Sequence, residues 1–425
     1  MIKQDKFVLK GDICYSRDLA TLATIPDGYL ICEDGHSRGA YVVLPPQYAQ
    51  LPLYDYSGRL ILPGLVDLHV HGPQFACRSV GLDLELLAWL ERYMFPEEAK
   101  YQDLAYARAA YGQFAAALRD GPNTRAAVFA TCHGPATGLL MDLLEDTGLV
   151  TLVGKVNMDR NCPPALRETP ESSAQATLAW LAACQGKYRR TQPILTPRFV
   201  PSCSDELLGR LGEIQRRHGL PAQSHLSENP AEIAWVKELC PWAANYGDAY
   251  RHFGLFGGET PTIMAHCVWS DPAEIALLRE NNVFVAHCPQ SNMNLASGIA
   301  PIRRFLSQGL AAGLGSDVAG GCHASIFRAM SDAIQASKLY WRLIDQSCPP
   351  LTVPEAFFLG TAGGGAFFGQ VGSFAPGYEA DALILDDSKL AAPFPLSIEQ
   401  RLARLIYEPE NAAICHKIVR GSFLW

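Results

Sequence analysis

The chain has 425 residues with a formal net charge of −8, 48% apolar and 18% charged residues. That balance fits a globular enzyme with ample core, and the absence of any long Lys/Arg run excludes the concentrated positive charge that a nucleic-acid or anionic-membrane surface needs. Thirteen scattered cysteines, odd in number and without a C-x-x-C pair, exclude a disulfide framework and point to buried reduced thiols.

At the N-terminus, charges interrupt residues 1–16 before a signal-peptide core could form, and no apolar stretch reaches membrane-spanning length, so a cytosolic protein is expected. Residues 1–61 hold short alternating runs, KFVLKGDICY, GYLICEDG and AYVVLP, separated by Gly/Pro turns, which predict strands and no long helix. From about residue 62 the rhythm changes. Eight apolar runs follow: GLVDLHVH, RAAVFATC, LVTLVGKVNM, QPILTPRF, PAQSHL, TIMAHCV, VFVAHCP and LAAGLGSD. Between them lie segments with helical apolar spacing, such as DLELLAWLERYM, AQATLAWLAACQGK, DELLGRLGEIQRRHG and DPAEIALLRENN, several led by a Ser or Asp suited to cap a helix. Strands buried on both faces and alternating with helices imply a parallel sheet, and eight units close most naturally into a TIM-type (β/α)8 barrel, with an open doubly wound sheet as the alternative. After the helical VPEAFFLGTAGGGAFFG, the tail returns to strand-like runs, VGSFAPGYEADALIL and AICHKIVRGSFLW. The expected α/β organisation is therefore a barrel over 62–368 beside one small β-sandwich-like domain built from 1–61 and 369–425.

The polar residues recur once per strand, at strand ends. His71 and His225 are separated by four proposed βα steps, and His266, His287 and Asp317 follow at later strand ends. Alternation sends His69 and His71 to one face, expected to be the barrel mouth, and sends Cys267 and Cys288 to the opposite face, toward the helices. A single such histidine would ordinarily be a hydrogen-bonded core residue; an H-x-H pair with further His and Asp at later strand ends points instead to a metal. Three imidazoles and one carboxylate with a solvent position left open describe a catalytic zinc or iron(II) site, which lowers the pKa of bound water from about 15.7 to about 7. Glu228, three residues after His225, overhangs the mouth or else belongs to a capping box for the following helix. Asp317 among glycines is either a helix cap or a metal-binding, proton-accepting carboxylate. His266 is the better site candidate of the two later histidines, while His287 is expected only to support the loop PQSNMNL. Among the remaining histidines only His133, at the end of the second strand, is expected near the mouth.

With PGLVDLHVH, the strand-end histidines, GLGSDVAGG and VGSFAPGYEADALIL in place, the chain resembles the amidohydrolase superfamily over nearly its full length. Within it, HVHGPQFA, VGKVNMD, TPRFVPSCS, QSHLSEN, AHCPQSN and GLGSDVAGG resemble, in the same order, segments of the guanine deaminase family. The resemblance implies hydrolytic deamination of guanine to xanthine and ammonia, with one divalent metal per chain (zinc, or iron(II) as the alternative) held by His69, His71, His225 and Asp317. It implies that Glu228 shuttles protons, that Asp317 takes the proton from water and that His266 hydrogen-bonds the attacking oxygen or polarises the carbon under attack. Gln74, Arg198 and Phe199 would hold the purine, in a site also formed by His225, Glu228 and Asp317. A homodimer is implied by the resemblance alone. Chemistry agrees with this allocation: Gln74 offers donor and acceptor to a purine edge, Arg198 offers donors suited to a carbonyl or else a structural salt bridge, and Phe199 covers a base face or fills core. Cys77 and Arg78 depart from the family pattern and leave one wall of the pocket undefined.

The alternatives are an amidohydrolase acting on cytosine, a triazine or a modified purine, and a barrel that has lost catalysis and serves for binding. A dinuclear amide-ring hydrolase would need a bridging lysine at the end of the fourth strand, where ILTPRF has none. The cytidine-deaminase type of zinc site needs a P-C-x-x-C pair that the chain lacks.

Overall fold

The computed structural model describes residues 2–3 and 6–425, residues 2 and 3 by backbone alone. Eight parallel strands form the barrel: Leu65–His71, Asn123–Phe129, Val150–Gly154, Thr191–Pro193, Ala222–Leu226, Thr262–His266, Phe284–His287 and Ala312–Leu314. They pair as two four-stranded arcs. One seam is closed by the Gln223 N–H donating to Leu195 O at 2.9 Å. At the other, Asp317 N–H donates to His69 O at 2.8 Å and His71 N–H to Val318 O at 3.2 Å, so the closure itself brings the eighth strand's carboxylate beside the first strand's histidines. Every residue of the first two strands is buried, as expected of barrel strands covered on both faces.

Two of the intervening helices start where the sequence predicts. Ser204 accepts from Leu207 N–H and Asp271 from Glu274 N–H, each satisfying a free donor of a first helical turn. After the first strand, helix spans Leu86–Trp89, passes through a wider π turn at Leu90–Met94 and continues over Phe95–Ala99. That is longer than the periodicity over 83–94 suggests. Pro96 has no N–H to give, and the wide turn before it lets the helix pass the ring instead of ending there.

The chain ends pair directly, Leu53–Pro63 antiparallel to Ala382–Asp386, within one mixed eight-stranded sheet. The sheet folds over so that its outer hairpin meets the tail, with Ser37 N–H donating to Tyr378 O at 2.8 Å, and encloses Phe7, Leu9, Ile13, Ile61, Phe374 and Ile384. Arg125, at the start of the second barrel strand and fully buried, ties barrel to sheet: its Nε lies 2.7 Å from Asp381 and its Nη2 2.6 Å from Glu379. One part of the tail differs from expectation. Ile398–Tyr407 is a helix, opened by a Ser397–Gln400 capping box and burying Ile398, Leu402, Leu405 and Ile406. Among the described residues no helix is long and apolar enough to cross a membrane, and all thirteen cysteines are free.

Candidate functional site

Simple alternation does not by itself bring the paired histidines inward. Val66 and Leu68 lie in the apolar cluster inside the barrel with Ala127, Ala265 and Ala286, whereas Val70 packs among the helices. Strict alternation from Leu68 would turn His69 outward. The pairing with the second strand slips between Asp67 and Val70, a bulge that reverses the parity, and His69 and His71 both face the mouth. His266 arrives by a different device. Ala265 points inward, so its successor should point out, but His266 takes φ +73° and the chain turns the ring back over the mouth. Cys267 packs toward the helices as expected. Cys288 does not: it sits inside the barrel with Leu68 and Ala286, two residues on from inward-facing Ala286, which corrects its assignment to the helix side.

The expected ligand atoms converge. His69 Nε2 lies 3.1 Å and His71 Nε2 3.5 Å from Asp317 Oδ1, and the Nε2 atoms of His71 and His225 are 3.2 Å apart. Burial, joined by the neighbouring imidazoles, holds His71 and His225 far below the usual histidine pKa, and burial also lowers His69. Asp317 is fully buried, which opposes ionisation, yet His69, His266 and His71 hold it well below the ordinary carboxylate range. Three neutral imidazoles and one carboxylate are the protonation states a divalent cation requires of its ligands. His69 is buried with neither ring nitrogen in a well-formed hydrogen bond, although Nε2 lies beside Asp317, a costly arrangement unless a ligand meets the nitrogen turned toward the cluster. His225 Nδ1 lies 2.7 Å from Arg198 O, which fixes the tautomer that leaves Nε2 free. Asp67 accepts from Ser316 N–H at 3.0 Å, Ser316 Oγ at 2.6 Å and His69 N–H at 3.2 Å, bracing both sides of the cluster.

Around these donors stand the proton-carrying groups. Burial pushes the Glu228 carboxyl up to about 7, and Ser297 Oγ donates to it at 3.0 Å. The capping box of the next helix is made by Asn229 and Glu232, which leaves the Glu228 side chain to the cavity. His266 Nε2 lies 3.4 Å from Glu228 and 3.7 Å from Asp317, and its Nδ1 lies 2.8 Å from Asn292 Oδ1. Burial opposes a charge on His266, but the two carboxylates outweigh it and raise its pKa, suiting it to donate a proton more than a lone pair. Asn292 was not singled out from sequence, although it falls in the loop expected to serve this site. His287 is buried with both ring nitrogens unpartnered, and its contribution is its carbonyl, which accepts from Gly315 N–H at 2.9 Å.

His71, His225, Glu228, His266 and Asp317 line one cavity. Gln74, Arg198 and Phe199 form its wall with His225, Glu228 and Asp317, while Leu86, Trp89 and Leu90 cover it. Gln74 and Arg198 meet at Glu98, a residue the sequence did not single out: Gln74 Nε2 donates to Oε1 at 2.9 Å and Arg198 Nη1 pairs with Oε2. The salt bridge considered for Arg198 thus exists, inside the wall that would face substrate. Arg78 folds back over the Phe75 ring, 4.2 Å from its centre, and Cys77 Sγ reaches Glu97 at 3.3 Å, so neither supplies the missing wall. His133 precedes the helix Gly134–Thr147 and does not line the cavity.

Comparison with known proteins agrees with this geometry. Residues 60–421 match the model of the amidohydrolase family. The guanine deaminase of Dictyostelium discoideum is 35% identical over 99% of this chain and 99% of its own length. That of Escherichia coli is 34% identical over 78% of this chain and 74% of its own. Among solved structures, guanine deaminase from C. acetobutylicum with bound guanine in the active site superposes with a TM-score of 0.95 at 41% identity, covering 99% of this chain and 100% of that one. The chain belongs to the amidohydrolase family and, within it, to the guanine deaminases.

Proposed function

We propose that the chain binds one zinc ion through His69, His71, His225 and Asp317 and, with its own residues, directs the hydrolysis of guanine to xanthine and ammonia. When bound, such an ion supplies a Lewis acid and a water activated at neutral pH. Gln74 and Arg198 hold the neutral base by its polar edge, with Phe199 against it, so that C2 faces Glu228 and Asp317. Asp317 accepts one proton of the attacking water, His266 hydrogen-bonds its oxygen and Glu228 protonates a ring nitrogen; the proton held by Asp317 then passes to the amino nitrogen, which leaves as ammonia, and the new C2 hydroxyl returns its proton to Glu228 as the carbonyl forms. A Glu228 carboxyl near 7 is suited to this, since it can give and take a proton at neutral pH. Imidazole and carboxylate donors also suit iron(II), which elemental analysis distinguishes. We place the catalytic unit at residues 62–368, flanked by 1–61 and 369–425, in a cytosolic homodimer; light scattering on the purified protein tests the dimer.

The observation that carries this reading is a donor-bearing wall, Gln74 and Arg198, set in one cavity with Glu228 and the His/Asp cluster. The test is release of xanthine and ammonia in equal amounts from guanine by the metallated enzyme. Arg198→Ala should lower kcat/KM by at least about 100-fold, the cost of losing a charged donor and stranding Glu98. Cytosine or a triazine hydrolysed in preference to guanine would sink the proposal.

A further inference from the structure

Glu98 is 2% exposed, lies on the helical turn Phe95–Ala99 and touches no residue of the His/Asp cluster by hydrogen bond or ion pair. Both its oxygens are committed to the substrate wall, one to Gln74 and one to Arg198. Phe95, from the same turn, lies beneath the Arg198 guanidinium, whose central carbon is 5.0 Å from the ring centre. One turn of helix therefore fixes the plane of the arginine by a carboxylate at its edge and a ring at its face.

The consequence for Gln74 is one of polarity. An amide side chain can present either end to a neighbour, and shape hardly distinguishes the two. An ionised carboxylate only accepts, so Gln74 must turn its NH2 toward Glu98. Its Oε1 then faces the other way, where Ala319 N–H donates to it at 3.4 Å and a second lone pair remains. The charge of Glu98 also cancels that of Arg198, leaving a wall that is rich in donors but neutral, as suits an uncharged base.

We infer that Glu98 is a positioning residue for base selection: by fixing the Gln74 amide and the Arg198 plane, it makes the wall present donors to a 6-oxo group and an acceptor to the adjacent ring N–H, and reject purines bearing a 6-amino group. This rests on the assignment of the cavity to a 2-amino-6-oxopurine. A 6-amino group would bring donors against Arg198's donors, and a site built for one hydrogen-bond pattern rejects its inverse strongly.

The test compares guanine with 2,6-diaminopurine, which keeps the amino group at C2 and replaces the 6-oxo group. In metallated Glu98→Gln the charge is gone and the Gln74 amide is free to turn over. The ratio of kcat/KM for guanine to that for 2,6-diaminopurine should fall about 10- to 100-fold, mainly through the guanine KM. Glu98→Asp keeps the charge and should recover part of that ratio relative to Glu98→Gln. Where Glu98→Gln does not fold, Glu98→Asp against wild type carries the test: its shorter carboxylate reaches only one partner, and the ratio should fall about fivefold or more. An unmoved ratio in the variant used, or an equal loss on both substrates, overturns the role given to Glu98. Wild type inactive on guanine overturns the functional assignment instead.

Discussion

Replacing Glu228 by glutamine should separate what this residue does for catalysis from what it costs the fold. The substitution keeps the size of the side chain and its acceptor for Ser297, but removes the ability to take and return a proton. Acid–base help of this kind is worth about 10²–10⁴-fold, so kcat for guanine should fall by that factor, about 3–5 kcal/mol on the barrier. Stability should move the other way. Burial raises the Glu228 carboxyl from 4.5 to about 7, so between those values the metal-free folded state holds a proton that the unfolded chain has lost. Stability therefore falls as pH rises through that window, and the cost approaches about 3 kcal/mol above pH 7. Metal-free Glu228→Gln should match wild type in urea denaturation near pH 4.5 and exceed it by about 2–3 kcal/mol at pH 8. A variant that keeps more than a tenth of the activity would refute the proton-shuttle role. A stability difference unchanged between those pH values would refute the strained ionisation.

His225→Ala removes a nitrogen whose tautomer is set by the Arg198 carbonyl, and bound zinc should fall from about one equivalent to below about 0.1 by elemental analysis; full occupancy would remove His225 from the ligand set. Arg125→Ala leaves the buried Asp381 carboxylate without its partner and should cost about 3–5 kcal/mol in urea denaturation, with a loss under about 1 kcal/mol contradicting the role of this contact in joining barrel and sheet.

The parts of the structure legible in the sequence are those that repeat. Eight apolar runs marked eight strands, and polar residues ending several of those runs marked the candidate site, because a barrel must bury strands on both faces while opening their C-terminal ends to substrate. The helix Ile398–Tyr407 was missed even though its signals are local: Ser397 and Gln400 stand at capping-box spacing, and Ile398, Leu402 and Leu405 share one helical face. A tail otherwise read as strands hid them. Glu98 was missed for a better reason. FPEEAK reads as a solvated charged run following a proline, and nothing within ten residues shows that the turn is buried against residues 74 and 198, which lie far away along the chain.

The geometry that gathers the expected site residues goes beyond what strand alternation supplies. Period-two alternation places His69 and His71 on a common face, but which face depends on the whole strand, and Val66 and Leu68 had already taken the interior. The slip between Asp67 and Val70 exchanges the faces within one strand, so that aliphatic side chains fill the barrel's floor and histidines its mouth. The left-handed turn at His266 does the same for the sixth strand. At the seventh strand alternation runs on undisturbed, and Cys288 stays inside, beneath the site. Both departures lie at the C-terminal ends of strands, where the need to converge on one point overrides the pleat and backbone irregularity is compensated by dense packing below. Residue type and strand position therefore nominated the expected donors, whereas their direction was decided by two local distortions that no single-strand pattern encodes.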